Sequence, residues 1–254
     1  FQVFTMSRNK RSYAQQLCVK TVGMTMHRTK MIWPGCKIGI ALSGGVDSFV
    51  LTKTLKIRQG ILPFRIDIIA LHINPGFAPK YHAGLLPWLS REGIACHIET
   101  GDFGPKAERE GDGAPCFRCA WLRRKRLFEL CGQYHLTHLA FGHNADDLTE
   151  TFFMNICRNG RVQGMSMCEP FFGGKLMVVR PLLLLGKKYI RQAARQWDLP
   201  FFENSCPWSG HTARSDMAET LKSLYAVSRQ SRRCIENAIC RWQLGENEQD
   251  NKLD

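Results

Sequence analysis

The sequence predicts an α/β fold with a doubly wound, mostly parallel sheet of five strands and flanking N- and C-terminal helices. From residue 37 onward, short apolar runs alternate with longer helical segments, which is typical of strand–helix–strand units. The 254 residues are enough for one full core and a small appendage. A hydrophobic content of 44% indicates that such a core forms without help from disulfides.

Residues 1–36 are predicted to form a helical extension that packs beside the main domain. Apolar residues recur there at roughly helical spacing among basic ones, for example Val22, Met26 and Ile32. The pattern ends at Trp33-Pro34-Gly35, because proline and glycine do not continue a helix.

Residues 37–200 are predicted to form the main domain, and residues 201–254 a C-terminal segment. The five predicted strands are Ile38–Leu42, Ile66–His72, Ala95–Ile98, Leu139–Phe141 and Met177–Val179. The helices predicted to follow them are Ser48–Arg58, Tyr81–Glu92, Phe117–Tyr134, Asp146–Arg158 and Lys187–Trp197. In the C-terminal segment, the apolar spacing predicts one long amphipathic helix over Thr212–Trp242.

The turn after the first predicted strand is the most informative stretch, Ser43-Gly44-Gly45-Val46-Asp47-Ser48. Its two glycines allow a tight turn that presents backbone N–H groups to an anion, and the next helix points its positive end there. Ser43 and Ser48 add hydroxyl donors, and Asp47 is a candidate Mg²⁺ ligand. The spacing matches neither the Walker loop nor the dinucleotide fingerprint. We therefore expect Leu42 to Ser48 to cradle nucleotide phosphates.

A second polar motif, Gly142-His143-Asn144-Ala145-Asp146-Asp147, follows the fourth predicted strand. Ligands of open parallel sheets bind at the carboxyl ends of the strands, so this motif is expected beside the phosphate loop. Helix capping alone explains one of the two acids. The pair, next to Gly142, favours a nucleotide or magnesium site that includes Asp146 and Asp147. His72, which ends the second strand, is expected near the adenine or ribose, although a lone strand-end histidine is more often structural.

The eleven cysteines are odd in number and fit poorly with a closed disulfide framework, so metal binding or buried thiols are the better interpretations. Cys116-Phe117-Arg118-Cys119 is a CxxC pair that we expect immediately before a helix. The helix end and the arginines at 118, 123 and 124 are expected to lower the pKa of both thiols.

A third candidate ligand, Cys206, lies in Asn204-Ser205-Cys206-Pro207-Trp208 and has no CxxC partner. Three cysteines without an obvious fourth suit a 4Fe-4S cluster with one open iron better than structural zinc, which usually takes four ligands. A zinc site completed by His143, His211 or another cysteine stays open as the alternative.

The formal charge of +13, from 35 basic and 22 acidic residues, favours an anionic partner such as RNA or DNA. The basic residues cluster in four stretches, which are Arg8–Lys20, Arg118–Arg126, Lys187–Arg195 and Arg229–Arg233. One such cluster is explained equally well by a solvated helix face, whereas four together favour nucleic acid.

We expect a cytoplasmic protein without membrane contact. The longest uncharged apolar run, Pro181–Leu185, is much shorter than the roughly 20 residues of a membrane span. The basic start, with Arg8, Lys10 and Arg11, is not typical of a secretion signal.

Five features occur in one order: SGGVDS, CFRC before an arginine-rich helix, GHNADD, Arg180-Pro181-Leu182 and a late single cysteine. In this combination, over roughly residues 7–240, the chain resembles the TtcA-like tRNA 2-thiocytidine synthetase family of the PP-loop ATP pyrophosphatase superfamily. The resemblance implies an adenine nucleotide alpha hydrolase-like fold, with the PP-loop ATP-binding domain at residues 37–200. It also implies an AMP-forming tRNA sulfurtransferase that adenylates a base carbonyl, at C2 of a cytosine, and then replaces the oxygen with sulfur.

The resemblance assigns roles to individual residues. Ser43, Gly44, Gly45, Asp47 and Ser48 match the ATP loop, Asp146 and Asp147 match paired acids, and Cys116, Cys119 and Cys206 match the ligands of a 4Fe-4S cluster whose open iron carries the sulfur. Asp47 and the three cysteines are the implied catalytic residues. The implied cofactors are ATP, Mg²⁺ and the cluster. The implied partners are tRNA and a sulfur donor such as a cysteine desulfurase or sulfide, with a homodimer as the expected assembly.

The chain departs from the family pattern at Val46, where several relatives carry lysine, and at Asn144, where some carry histidine. GHNADD is also similar to the motif of wobble-uridine thiolases. Two alternatives therefore remain beside the tRNA thiolase. One is a PP-loop adenylating enzyme with structural zinc that acts on another base or a small molecule, and the other is a non-catalytic RNA-binding relative.

Overall fold

The computed structural model describes residues 11–77, 84–110, 115–202, 206 and 213–245. Over these ranges its strands are β1 (Lys37–Ala41), β2 (Asp67–Asn74), β3 (Ala95–Thr100), β4 (His138–Ala140), β5 (Cys168–Phe171) and β6 (Leu176–Val179). They form one sheet in the order β3-β2-β1-β4-β6-β5, in which only β5 runs antiparallel to its neighbour. The predicted α/β class and mostly parallel sheet are confirmed.

The sheet has a sixth strand that the sequence did not predict. β5 is an edge strand of four residues that pairs antiparallel with β6 and contains Pro170 opposite Met177. Proline cannot donate a hydrogen bond to a neighbouring strand and is confined to the edges of sheets. A short stretch that contains proline is therefore not predicted as a strand.

The helices of the described ranges are α1 (Tyr13–Thr29), α2 (Val46–Gln59), α3 (Leu85–Glu92), α4 (Phe103–Glu110), α5 (Pro115–Gln133), α6 (Ala145–Asn159), α7 (Lys187–Gln196), α8 (Ala213–Ala226) and α9 (Ser231–Leu244). Four of the five helices predicted between residues 48 and 197 are confirmed within a few residues of their predicted ends, and α1 lies within the stretch 1–36 for which a helix was predicted. The fifth, Tyr81–Glu92, is seen from Leu85, because residues 78–83 lie outside the described ranges. α4 was not predicted. The division into three domains stays a prediction.

The single long C-terminal helix predicted over Thr212–Trp242 was wrong, because two helices, α8 and α9, occupy this stretch. Between them the Ser231 side chain accepts from the Ser228 N–H at 3.0 Å, and the Ser228 side chain accepts from the Gln230 N–H at 3.2 Å. Serine hydroxyls that bond nearby backbone groups compete with helical hydrogen bonds and so favour a turn.

The two faces of the sheet carry separate cores because successive strand residues point to opposite sides. On one face, Ile38 and Ile40 of β1 belong to a cluster that contains Val22 of α1, Phe49 of α2 and Ile190 of α7. The other face packs on α5 through Leu71, Ile73, Leu127, Leu130 and Leu139. α1 therefore packs beside the main domain as predicted, and the sheet is covered on both sides.

The strand order creates a crevice between β1 and β4. From β1 the chain continues to β2 on one side, and it later returns to β4 on the other side. Ligands of open α/β sheets bind at such a switch point, outside the carboxyl ends of the strands. In the described part of the chain, each helix is too short or too polar to cross a lipid bilayer.

Candidate active site

The turn after β1 is held in shape by its own serines. The Ser48 hydroxyl donates to the Gly45 carbonyl at 2.7 Å and accepts from the Ser43 N–H at 3.2 Å. The Gly45 N–H donates to the Ser43 hydroxyl at 3.3 Å. Gly44 has φ +89°, a left-handed conformation that favours glycine. α2 begins at the next residues without a side-chain cap, which leaves its positive end for an anion.

A cavity of about 360 Å³ opens beside this turn, at the carboxyl ends of β1, β2 and β4. It is lined by the phosphate-loop turn, by one face of α5 and by the loop after β4. The lining residues are Ala41, Leu42, Ser43, Asp47, Ser48, Leu71, Ile73, Ala120, Arg123, Arg124, Leu127, Phe141, Gly142, His143 and Asp147. The two predicted motifs therefore meet in one cavity. Arg123 and Arg124 had been expected to act on the cysteine thiols, and their position in this wall is new.

Gly142 allows the loop after β4 to approach the start of α2. A Cβ atom built on Gly142 would lie 3.1 Å from the Asp47 carbonyl carbon, 3.1 Å from the Ser48 nitrogen and 3.2 Å from the Asp47 oxygen. These are backbone atoms, which cannot move aside as a flexible side chain does. A side chain at residue 142 would therefore push the phosphate loop away from β4.

Asp47 carries its charge in an unfavourable environment. Its pKa is raised to about 6, chiefly by burial and also by the nearby acids Asp147 and Asp146, while Lys187 and Arg191 of α7 lower it. One of its carboxylate oxygens, Oδ1, is buried without a hydrogen-bond partner. A buried carboxylate oxygen without a donor, with a second acid close by, fits the oxygen donor set that Mg²⁺ takes.

The two acids at the start of α6 have separate roles in the fold. Asn144 is the N-cap, and its side-chain oxygen accepts from the N–H groups of Asp146 (2.9 Å) and Asp147 (3.2 Å). Asp147 accepts in return from the Asn144 N–H at 2.9 Å, which completes a capping box. Asp146 instead accepts from the Lys187 N–H at 2.8 Å and ties α6 to α7. Asp147 lines the cavity, whereas Asp146 is not among its lining residues, and the nucleotide-binding roles of both acids stay predictions.

Two arginines of the C-terminal helices reach these acids, which the sequence did not predict. Arg214 of α8 lies 3.3 Å from Asp147 Oδ1 and 3.6 Å from Glu150 Oε2. Arg232 of α9 pairs with Asp146 Oδ1. From the sequence, Arg232 was assigned to a basic cluster that binds nucleic acid. Its contact with Asp146 was missed, because no sequence pattern reports a contact between residues so far apart in the chain.

His143 lines the cavity as a neutral imidazole. Its pKa is lowered to about 4, chiefly by burial. The nearby Arg180, Arg214 and Arg124 also lower this pKa, whereas Asp147 raises it. Its Nδ1 atom is buried without a hydrogen-bond partner.

His72 has a different contact from the one expected. Its ring is buried, and its Nδ1 lies 2.7 Å from the carbonyl oxygen of Leu42, directly before the phosphate loop. His72 is not among the residues that line the cavity, and its role near the nucleotide stays a prediction.

Cys116 and Cys119 lie within the first turns of α5, not before the helix as predicted. Cys206 is close enough to raise the pKa of both thiols, and Cys116 raises that of Cys119. The three cysteines, which are far apart in sequence, therefore come together. The expected lowering of their pKa was wrong. Burial is the largest effect on each thiol and raises both values, and among the arginines only Arg123 opposes it, at Cys119.

Among the described residues, no group of three or more His, Cys, Asp or Glu side chains is placed to hold one metal ion. The 4Fe-4S cluster and the zinc ion therefore both stay predictions for these cysteines. His211, considered as a zinc ligand, lies outside the described residues, as do residues 203–205 and 207–210 around Cys206.

Comparison with known proteins supports the fold and the family. A family model described as a PP-loop domain matches residues 24–221. A tRNA-cytidine(32) 2-sulfurtransferase from Geotalea uraniireducens is 32% identical over 208 residues, which are 80% of this chain and 82% of that protein. The protein of the same name from Pseudomonas entomophila is 31% identical over 202 residues, 77% of this chain and 72% of that protein.

Two solved structures share the fold. The U34-tRNA thiolase NcsA from Methanococcus maripaludis, solved with its [4Fe-4S] cluster, matches with a TM-score of 0.74 at 23% identity, over 92% of this chain and 80% of that one. An NH3-dependent NAD synthetase from Campylobacter jejuni matches with a TM-score of 0.52 at 16% identity, over 94% and 95% of the two chains. At these identities the likeness concerns the fold alone.

Proposed function

Because the chain belongs to the tRNA-cytidine(32) 2-sulfurtransferase family of PP-loop proteins, we propose that it is an ATP-dependent, AMP-forming tRNA thiolase. Its substrate is a cytidine of tRNA, at position 32 as in the names of its relatives, and its product carries sulfur in place of O2. One observation carries the proposal. The helix that begins with Cys116 and Cys119 also supplies Arg123 and Arg124 to the wall of the phosphate-loop cavity.

In the first step, the cytosine O2 attacks the α-phosphorus of ATP, and pyrophosphate leaves. The turn from Ser43 to Ser48 and the free end of α2 hold the phosphates. Asp47 and Asp147, which both line the cavity, would hold Mg²⁺, which would offset the negative charge of the phosphates. Lys187 and Arg191 add positive charge beside the loop, where Val46 replaces the lysine of several relatives.

In the second step, a sulfide-level sulfur attacks C2, a carbon–sulfur bond forms, and AMP leaves with the former O2. Cys116, Cys119 and Cys206 would hold the 4Fe-4S cluster, and with three protein ligands it would supply an iron that is open to sulfur. Inorganic sulfide or a cysteine desulfurase is the proposed source of this sulfur. α5 forms one wall of the cavity in which the activated base would react.

Two measurements on anaerobically reconstituted protein test this function. Iron and sulfide analysis is expected to give four of each per chain, with visible absorption that is lost in Cys206→Ser but kept in Cys157→Ser, an exposed cysteine of α6. AMP release from ATP is expected to require tRNA. A colourless protein with one zinc, or AMP release that tRNA does not stimulate, would support the alternative enzyme that acts on a small molecule.

A further inference from the structure

Two aromatic side chains stand exposed on α5 next to the cluster cysteines. Phe117 is 75% exposed and Trp121 is 48% exposed. Singly exposed apolar residues are normal on protein surfaces, but these two are one helical turn apart and therefore lie on the same face. Phe117 stands between Cys116 and Cys119 in sequence, so the pair flanks the place where the cysteines meet.

Cations surround the exposed indole. The Arg118 guanidinium carbon lies 5.5 Å from the centroid of the Trp121 ring, and the Lys125 ammonium nitrogen lies 5.9 Å from it. Such contacts hold positive charge beside an aromatic surface. An uncharged or cationic protein surface would match this patch poorly, whereas a polyanion with flat aromatic groups would match both of its components.

The patch adjoins the cavity. Positions 117, 121 and 124 follow the i, i+4, i+7 spacing of one helix face, and Arg124 lines the cavity. A ligand on the two rings is therefore guided by Arg124 into the phosphate-loop cavity. Arg126 on the same helix is turned away, because it pairs with Glu99 of β3 at 2.7 Å.

We propose that Phe117 and Trp121 form a stacking platform for an unpaired base of the substrate RNA, a neighbour of the cytosine that reacts. The platform rests on the proposed function and deepens it, since it explains how one base of a folded RNA is presented to the cavity. Bases stack on exposed aromatic rings without regard to sequence, and Arg124 and Lys125 receive the adjoining phosphates, whereas Arg118 also lies 3.5 Å from Glu110.

The test compares the affinity of the full-length protein for unmodified tRNA between ring-removing and ring-keeping variants. Trp121→Leu and Phe117→Leu keep an apolar side chain but remove the flat ring, and each is expected to weaken binding about tenfold. Trp121→Phe keeps a ring and is expected to bind as the wild type does. Since both residues are exposed, the unfolding temperature should not change.

Two control variants separate stacking from general effects. Trp33→Ala removes an indole that is 43% exposed and precedes the amino end of β1, and Arg126→Ala removes a cation from α5. Both are expected to leave the affinity for tRNA unchanged. A base that stacks on Trp121 should also quench its fluorescence, so the quenching caused by tRNA should fall in Trp121→Phe although the affinity does not.

The outcomes distinguish the platform from the enzyme. If the wild type converts tRNA and both leucine variants bind and react as it does, the platform is wrong and the proposed function stands. If the wild type binds tRNA with quenching but never thiolates it, the platform stands and the proposed function is wrong. A loss of affinity that is matched by a change in oligomeric state would show that the rings contact a second copy of the chain instead.

Discussion

At the scale of single residues, the folded structure around Asp47 disfavours the negative charge of its carboxylate. Burial raises its pKa from 3.8 to about 6, so the folded state binds a proton more tightly than the unfolded chain does. The contribution of protonated Asp47 to folding stability is therefore fully present below pH 3.8 and is lost as the pH rises through about 6. At neutral pH the ionised carboxylate destabilises the ligand-free protein by about 1–3 kcal/mol.

Asp47→Asn is therefore expected to raise the unfolding temperature of the ligand-free protein above pH 6 and to abolish AMP formation. The amide removes the buried charge but is a poor ligand for Mg²⁺. Thermal unfolding between pH 4 and pH 8 measures the effect, which should disappear at the acidic end. An unfolding temperature that is equal to the wild type at pH 8 would contradict the burial of this charge.

Gly142→Ala is expected to weaken ATP binding at least tenfold and to cost about 1–3 kcal/mol of folding free energy, since its Cβ would meet the backbone of Asp47 and Ser48. Calorimetric titration with ATP and denaturant unfolding measure the two effects. Gly132→Ala in α5 is the control, because nothing lies within 4 Å of the position of its Cβ. It should be neutral or slightly stabilising. Equal ATP affinity in both variants would refute the close packing of the two loops.

At the scale of the elements, α6 joins the phosphate-loop domain to the C-terminal helices. Asp146 ties it to α7 through the Lys187 N–H, and Arg214 and Arg232 tie it to α8 and α9. Since Cys206 precedes α8 in the chain, the position of these helices also bears on the proposed third cluster ligand. The capping box of Asn144 and Asp147 holds this junction together locally.

Arg214→Ala is expected to cost about 1 kcal/mol, because Arg214 is partly exposed, and to loosen α8 from α6. The pKa of Glu150, about 6, is raised by burial and by Asp147 and lowered by Arg214, so it should rise further in the variant. Hydrogen exchange of α8 amides and a pH titration of stability measure these changes. The exposed Arg233 of α9 provides the matched control, Arg233→Ala. Unchanged exchange in α8 would contradict the role of this ion pair.

At the scale of the whole molecule, we expect the formal charge of +13 to strengthen the binding of tRNA through cations that contact its phosphates. Binding of tRNA should weaken steeply with salt. Arg124→Ala, at the cavity wall, should reduce the slope of log K against log salt by about 1. Arg126→Ala should leave the slope unchanged, since Glu99 neutralises that arginine. Equal slopes for both variants would mean that tRNA is attracted by the charge of the whole protein and not by a contact between its phosphates and Arg124.

Local patterns in the sequence predicted much of the fold and the core of the site. The SGGVDS turn and the GHNADD motif each follow an apolar strand, and the sheet brings both to one cavity because parallel strands end at one edge. Features that depend on tertiary packing could not be predicted from the sequence. The pKa of Cys119 is set by its burial, the partners of Asp146 come from distant helices, and Pro170 hides an edge strand.

The most direct test of the central claim is mass spectrometry of the nucleosides of unmodified tRNA after incubation with reconstituted protein, ATP, Mg²⁺ and sulfide. The proposed site, in which Asp47 lines the cavity and α5 carries both Cys116 and Cys119 and part of the cavity wall, predicts 2-thiocytidine and one AMP for each sulfur inserted. Mass spectrometry of nuclease fragments of the same tRNA should locate the sulfur at position 32. Both 2-thiocytidine and AMP should be absent with Asp47→Asn. AMP and no thionucleoside, or sulfur in a uridine instead of a cytidine, would contradict the account.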